Sequence, residues 1–203
     1  MSKKMTKKTL RSLDPASLSG RRVLVRVDYN VPLGDDGAIE DATRIDATLP
    51  TLCYLLKAGA RPVLLSHLGR PGGKVVPAES LAPIADALAE RLGSPVRFLA
   101  ETDTDAAVEA SKALEGGEVL LLENTRFLPG ETKNDPELSE RLARLGDLYV
   151  NDAFGSTHRA HASVVGVTEH LHPAVAGLLV EAELDALSRI REAPARPFVV
   201  AFG

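Results

Sequence analysis

The chain has 203 residues, with 24 Lys and Arg against 28 Asp and Glu, a formal charge of −4, and a single Cys. At 44% hydrophobic and 26% charged residues it has a globular composition, and Gly (16) and Pro (13) are too few for a collagen-like or low-complexity chain. One cysteine excludes a disulfide framework and a cysteine-based zinc centre, and the acidic balance gives no sign of nucleic-acid binding.

The amino terminus is basic, with Lys3, Lys4, Lys7, Lys8 and Arg11, and no apolar segment follows it. It reads as a solvated tail rather than a secretory signal. Without a signal and with one Cys, a cytoplasmic location is expected. The longest apolar run, residues 173–180, is far short of the roughly 20 residues that span a bilayer, so no membrane partner is expected.

Residues 23–27 (Val-Leu-Val-Arg-Val) form a first buried strand. Residues 41–58 read as a helix with Leu49, Leu52, Cys53 and Leu56 on its apolar face, and Pro50 either kinks it or delays its start. On that face Cys53 is expected in the core. Residues 62–66 are a second strand after the helix stop Gly59. Residues 77–92 follow as a helix, with Leu81, Ile84, Ala85 and Leu88 on one side and Gly93 at its end. A short strand (96–99), an acid-rich helix (103–114) and a third apolar strand (119–122) come next. A helix at 135–145, a strand at 148–150, a helix at 177–192 with Val180, Leu184, Leu187 and Ile190 on one face, and a buried strand at 197–202 complete the chain. Strands that are apolar throughout need cover on both sides. The expected fold is therefore α/β: a three-layer α/β/α open parallel sheet, Rossmann-like.

The polar residues gather where strands end. The first strand runs into Asp28-Tyr29-Asn30, the second into Ser66-His67-Leu68-Gly69-Arg70, the third into Glu123-Asn124-Thr125-Arg126, and the fourth into Asn151-Asp152, followed by His158-Arg159-Ala160-His161. Ligands of open parallel sheets bind beyond the carboxyl ends of the strands, and strands about 4.8 Å apart let four such loops converge on one small molecule. Arg70, Arg126 and Arg159 with His67, His158 and His161 make this edge cationic in an acidic chain, and Arg44 is close enough in sequence to join them. The planar guanidinium suits bidentate binding of phosphate or carboxylate. Asp28 and Asn30 suit recognition of hydroxyls.

Other constellations carry less. His158-x-x-His161 lacks a third ligand, so no metal site is expected. Residues 69–74 (Gly-Arg-Pro-Gly-Gly-Lys) lack the spacing and the Ser/Thr of a phosphate-binding P-loop. The first strand is not followed by Gly-x-Gly-x-x-Gly, which argues against a nicotinamide-dependent dehydrogenase.

Five segments stand in a telling order: Arg22-Val-Leu-Val-Arg-Val-Asp-Tyr-Asn-Val-Pro-Leu33, Ser66-His-Leu-Gly-Arg-Pro71, Leu122-Glu-Asn-Thr-Arg-Phe127, Tyr149-Val-Asn-Asp-Ala-Phe-Gly155 and His158-Arg-Ala-His161. Together they resemble the motifs of phosphoglycerate kinases, with Tyr29 where Phe is commoner. The resemblance implies a two-lobed enzyme that passes a phosphoryl group between ATP and 3-phosphoglycerate. Residues 1–177 would be the amino-terminal, 3-phosphoglycerate-binding lobe. Residues 178–203 would be the interlobe helix and the first strand of a nucleotide-binding lobe that is otherwise absent.

By the same resemblance, Asp28, Tyr29, Asn30, Arg44, His67, Leu68, Gly69, Arg70, Arg126 and Arg159 bind the substrate. Asp28 and Asn30 would take its hydroxyl and carboxylate region, and His67, Arg70, Arg126 and Arg159 its phosphate. Arg44 would be catalytic, steadying charge during transfer. The family's nucleotide-contacting lysines fall beyond Gly203. Mg-ATP or Mg-ADP would then be bound by the other lobe, with no cofactor in this chain, which is expected to be monomeric and inactive alone. The alternative expectation is a non-catalytic folding unit with a collapsed site.

Overall fold

Six short apolar segments become strands: β1 (Arg22–Val27), β2 (Arg61–Leu65), β3 (Val96–Leu99), β4 (Val119–Leu122), β5 (Leu148–Asp152) and β6 (Ala174–Ala176). In the computed structural model, which describes residues 8–34, 37–192 and 199, they form one sheet in the order β3-β4-β2-β1-β5-β6. Every pairing is parallel. Successive side chains on a strand point to opposite faces. On one face Val23, Val25, Val27, Leu64, Leu121 and Val150 pack against Ile45, Leu52, Leu55, Ile84 and Leu88. On the other, Leu24, Val63, Leu65, Leu120, Leu122 and Tyr149 pack against Val108, Leu138, Leu142 and Val167. The first layer is thus built by α1 (Thr43–Asp46), α2 (Leu49–Lys57) and α3 (Ala82–Leu92). The second is built by α4 (Asp105–Lys112), α5 (Pro136–Ala143) and α6 (Val167–His170). The three-layer α/β/α arrangement is the expected one.

The helices start where side chains can satisfy free backbone N–H groups. Thr104 accepts from the Ala107 N–H at 3.2 Å, and Asp135 from that of Leu138 at 2.8 Å. Gly93 ends α3 with φ 65°, a left-handed conformation that suits glycine. The long helix α7 (Leu178–Glu192) is tied down by Asp152 at the end of β5, whose Oδ1 accepts from the Leu179 N–H at 2.9 Å.

Several expectations need correction. The helix expected over 41–58 is two, broken at residues 47 and 48, with Pro50 in the first turn of α2, where its missing N–H leaves nothing unsatisfied. The buried Tyr29 hydroxyl bonds Thr48 Oγ1 at 2.9 Å; Thr48, Leu52 and Leu55 are buried, and Cys53 is exposed. The apolar stripe of α7 is covered at Val180 but open at Leu187 and Ile190, 51% and 47% exposed. The amino-terminal segment is no solvated tail from Thr9 onward. Thr9 bridges to Ala176 beside β6, Leu10 is fully buried, and Arg11 pairs with Glu181 at 3.0 Å. The strand β6, helix α6 and the π-helical turn Ala162–Gly166 were not foreseen. The strand expected at 197–202 lies outside the described residues, apart from exposed Val199.

No helix among the described residues is long and apolar enough to cross a membrane. The chain leaves β1 for β2 on one side, and β5 lies on its other side. This reversal of strand order opens a crevice at the carboxyl ends of β1 and β5, the position where such sheets bind ligands.

Candidate functional site

Three loops at this edge are tied to one another by bonds between side chains and backbone. The Tyr29 N–H donates to Ser66 Oγ at 2.8 Å, and the Gly69 N–H donates to Asn30 Oδ1 at 2.8 Å. Asn124 Nδ2 donates to the carbonyls of Leu68 and Glu79 at 2.8 and 2.9 Å. Arg126 Nη1 donates to the Gly69 carbonyl at 2.5 Å. Gly69 has φ 62°, and a Cβ there would stand 2.2 Å from the Glu79 carboxylate. Glycine is therefore required where the second loop turns past the first.

Arg70, Arg126 and Arg159 line one cavity of about 580 Å³, together with Gly73, Thr132 and Lys133. Among the described residues none of these three arginines forms an ion pair with a carboxylate. Arg126 is 7% exposed, and its Nε is buried without a partner. Burial, then the nearby charge of Arg159, Arg26 and Arg70, pulls its pKa below the usual arginine value. An unmatched buried donor costs roughly 1–3 kcal/mol. A doubly charged oxyanion in this cavity would supply the missing negative charge.

Arg44 stands apart from that cavity. Its Nη1 pairs with Asp28 Oδ2 at 3.1 Å, and Ser156 Oγ donates to the same oxygen at 3.1 Å. Asp28 Oδ1 accepts from the Asn30 N–H at 3.3 Å. A Cβ at Gly155 would lie 2.8 Å from Asp28 Oδ2, so the glycine makes room for this pair. The strand-end arginines therefore form two adjoining groups, one paired and one not.

His67 is 4% exposed, and its Nδ1 lies 3.0 Å from Arg26 Nη2. Burial, then the charges of Arg26, Arg126, Arg159 and His161, pulls its pKa down to about 2, so the ring is neutral. The side chains of Tyr29 and Leu68 belong to the core, and burial raises the Tyr29 phenol pKa above its ordinary value. Both residues can meet a ligand only through backbone. Glu123 holds other parts of the chain, accepting from Ser80 Oγ at 2.7 Å and the Leu81 N–H at 2.9 Å. His158 is exposed, whereas His161 is buried with Nδ1 3.7 Å from Glu131 Oε1.

Sequence reading missed Thr132 and Lys133 on the cavity wall and the buried set Arg26, Glu131 and Ser163 beneath it. Arg26 had a signal: a lone charge inside the apolar run of β1, facing the same side as Leu24. Glu131 had none, because it sits in a one-turn 3-10 segment within a polar stretch.

A family model described as phosphoglycerate kinase matches residues 13–203. The chain belongs to the phosphoglycerate kinase family. It is 54% identical over 199 residues to the phosphoglycerate kinase of Desulforudis audaxviator, covering 98% of this chain and 50% of that protein. With that of Roseiflexus castenholzii it is 56% identical over 201 residues, with the same coverage. The phosphoglycerate kinase structure from Coxiella burnetii matches 93% of the chain and 46% of its own, with a TM-score of 0.82 at 40% identity. That from Pyrococcus horikoshii OT3 matches 94% and 47%, also at 0.82, with 33% identity. The chain spans about half the length of the curated relatives it matches.

Proposed function

We propose that this chain supplies the 3-phosphoglycerate-binding lobe of a phosphoglycerate kinase. Residues 1–177 form the lobe, and 178–203 lead into a nucleotide-binding lobe. The observation that carries this is the cavity lined by Arg70, Arg126 and Arg159, which form no ion pair among the described residues, at the carboxyl edge of a parallel sheet. In this reading the substrate phosphate lies among these arginines and the neutral His67. Its hydroxyl and carboxylate reach toward Asp28, Asn30 and the Gly69 backbone. Arg44, half-exposed beside Asp28, faces charge that develops at the carboxylate as the phosphoryl group arrives. Phosphoryl transfer depends on positioning and charge neutralisation, and fixed guanidinium groups provide both.

The phosphoryl donor in this reading is the magnesium nucleotide. The described residues hold no group of three or more His, Cys, Asp or Glu side chains that could bind a metal. The magnesium nucleotide belongs, in this reading, to the other lobe. The protein would act in the cytoplasm as a monomer, with the nucleotide lobe as its partner. A collapsed site is the less favoured reading, because the cavity stands open.

Titration calorimetry with 3-phosphoglycerate tests the reading. Saturable, salt-sensitive heat is expected, and none at millimolar ligand would defeat it. A coupled kinase assay on the 203-residue chain alone is expected to read background; robust ATP turnover would overturn the division of labour.

A further inference from the structure

Beneath the cavity runs a buried chain of hydrogen bonds that the binding reading does not use. Arg26, on the second-layer face of β1, is 0% exposed, as are Glu131 and Ser163. Its Nε donates to Ser163 Oγ at 2.8 Å, its Nη1 to the Val27 carbonyl, and its Nη2 meets His67 Nδ1 at 3.0 Å. Ser163 in turn donates its hydroxyl to Glu131 Oε1 at 2.6 Å and its N–H to Oε2 at 3.0 Å. Thr125 Oγ1 gives a further bond to Oε1 at 3.3 Å, so the carboxylate is held at both oxygens.

The direction of each bond follows from chemistry. A guanidinium has five donors and no acceptor, so Arg26 must donate to His67. Nδ1 of His67 must then present its lone pair, and in the neutral ring the proton sits on Nε2. Nε2 makes no hydrogen bond among the described residues and is not one of the sealed polar atoms. Its donor is therefore not used within the described fold.

We propose that Arg26 is a positioning residue that fixes His67 in the Nε2–H tautomer, and that Glu131, acting through Ser163, holds Arg26 in the geometry that does so. The device gives the site a rigid neutral donor where another cation would only repel Arg126 and Arg159. The charged and titratable groups facing the ring are Arg26 from β1, Arg126 after β4, and Arg159 and His161 after β5. All disfavour its protonation. The part concerning ligand binding rests on the reading above; the tautomer does not.

The test is NMR of the full chain with 15N-labelled imidazole. One His67 form, protonated at Nε2 alone, is expected between about pH 5 and pH 8. A proton on Nδ1, or a charged ring in that range, would overturn the proposal. Arg26→Met is expected to give a mixture of tautomers. Should that variant not fold, Ser163→Ala, which removes the hydroxyl that links the Arg26 guanidinium to Glu131, is expected to broaden the tautomer population in the same sense. A single Nε2–H form persisting in every variant that folds would also overturn it.

A binding cycle with 3-phosphoglycerate supplies the second readout. Arg26→Met is expected to weaken binding by about tenfold in the wild-type background and by clearly less in a His67→Gln background, where no tautomer remains to fix. Equal penalties in both backgrounds would mean that Arg26 acts as general scaffolding and not through His67. If the chain binds no 3-phosphoglycerate yet shows the expected ring, the substrate reading fails and the tautomer lock stands.

Discussion

The carboxyl edge of the sheet holds two kinds of arginine. Arg44 has its countercharge in Asp28, supplied by the same protein. Arg70, Arg126 and Arg159 form no ion pair among the described residues, and Arg126 keeps a buried donor unmatched there. A third, Arg26, is wholly enclosed and answered through Ser163 by Glu131. A charge neutralised within the fold serves the fold or orients a neighbour. A set of charges left open at a cavity raises the folded state's energy until an anion arrives. The same residue type in the same sheet layer thus has opposite energetic meanings, set by whether a carboxylate is within reach.

The comparison breaks most readily at Glu131. Glu131→Ala removes the one carboxylate that, among the described residues, holds the buried chain, and leaves Arg26 enclosed without it. A loss of about 3–5 kcal/mol in urea unfolding is expected; a near-neutral result would mean that the buried cations need no internal countercharge. Arg159→Ala should do the reverse. Stability is expected to hold or rise as repulsion of Arg126 is relieved, while 3-phosphoglycerate affinity falls by about tenfold to a hundredfold. A large stability loss without a binding loss would place Arg159 with the structural group.

The pH dependence sharpens the distinction further. His67 has a folded pKa pulled below its unfolded value of 6.5 to about 2, so the unfolded chain binds a proton that the folded chain refuses. Stability from this group is complete above about pH 6.5 and declines as pH falls toward 2, by up to about 1.4 kcal/mol per pH unit. His67→Gln should flatten the acid limb of the stability profile; an unchanged limb would show that the ring accepts the proton in place. The smallest effect is expected at Arg44, whose guanidinium is 50% exposed. Arg44→Ala should cost no more than about 1 kcal/mol of unfolding free energy, with the sign opposite to that of Arg159→Ala.

Much of this could be read from residue order. The four apolar runs at 23–27, 62–66, 96–99 and 119–122 announce strands because no amphipathic alternative fits them, and the observed elements cover them closely. The face of α3 was legible because Leu81, Ile84, Ala85 and Leu88 leave one phase for a helix. The face of α2 was not: two short helices meet at residues 47 and 48, and the break shifts the second out of the phase that one continuous helix over 41–58 implies. β6 was hidden because three residues, Ala-Val-Ala, carry no periodicity and become a strand only by pairing with β5.

On its own, the order of residues determined the layered parallel architecture and the placement of Arg70, Arg126 and Arg159 after strands, since both depend on local patterning. Only the tertiary structure decided which cations are answered. Arg26 and Ser163 are 137 residues apart, and Asp28 and Ser156 are 128 apart. Electrostatic pairing falls off with distance in space and is blind to distance along the chain. Whether a guanidinium ends up neutralised or left for a ligand is therefore settled when the strands assemble.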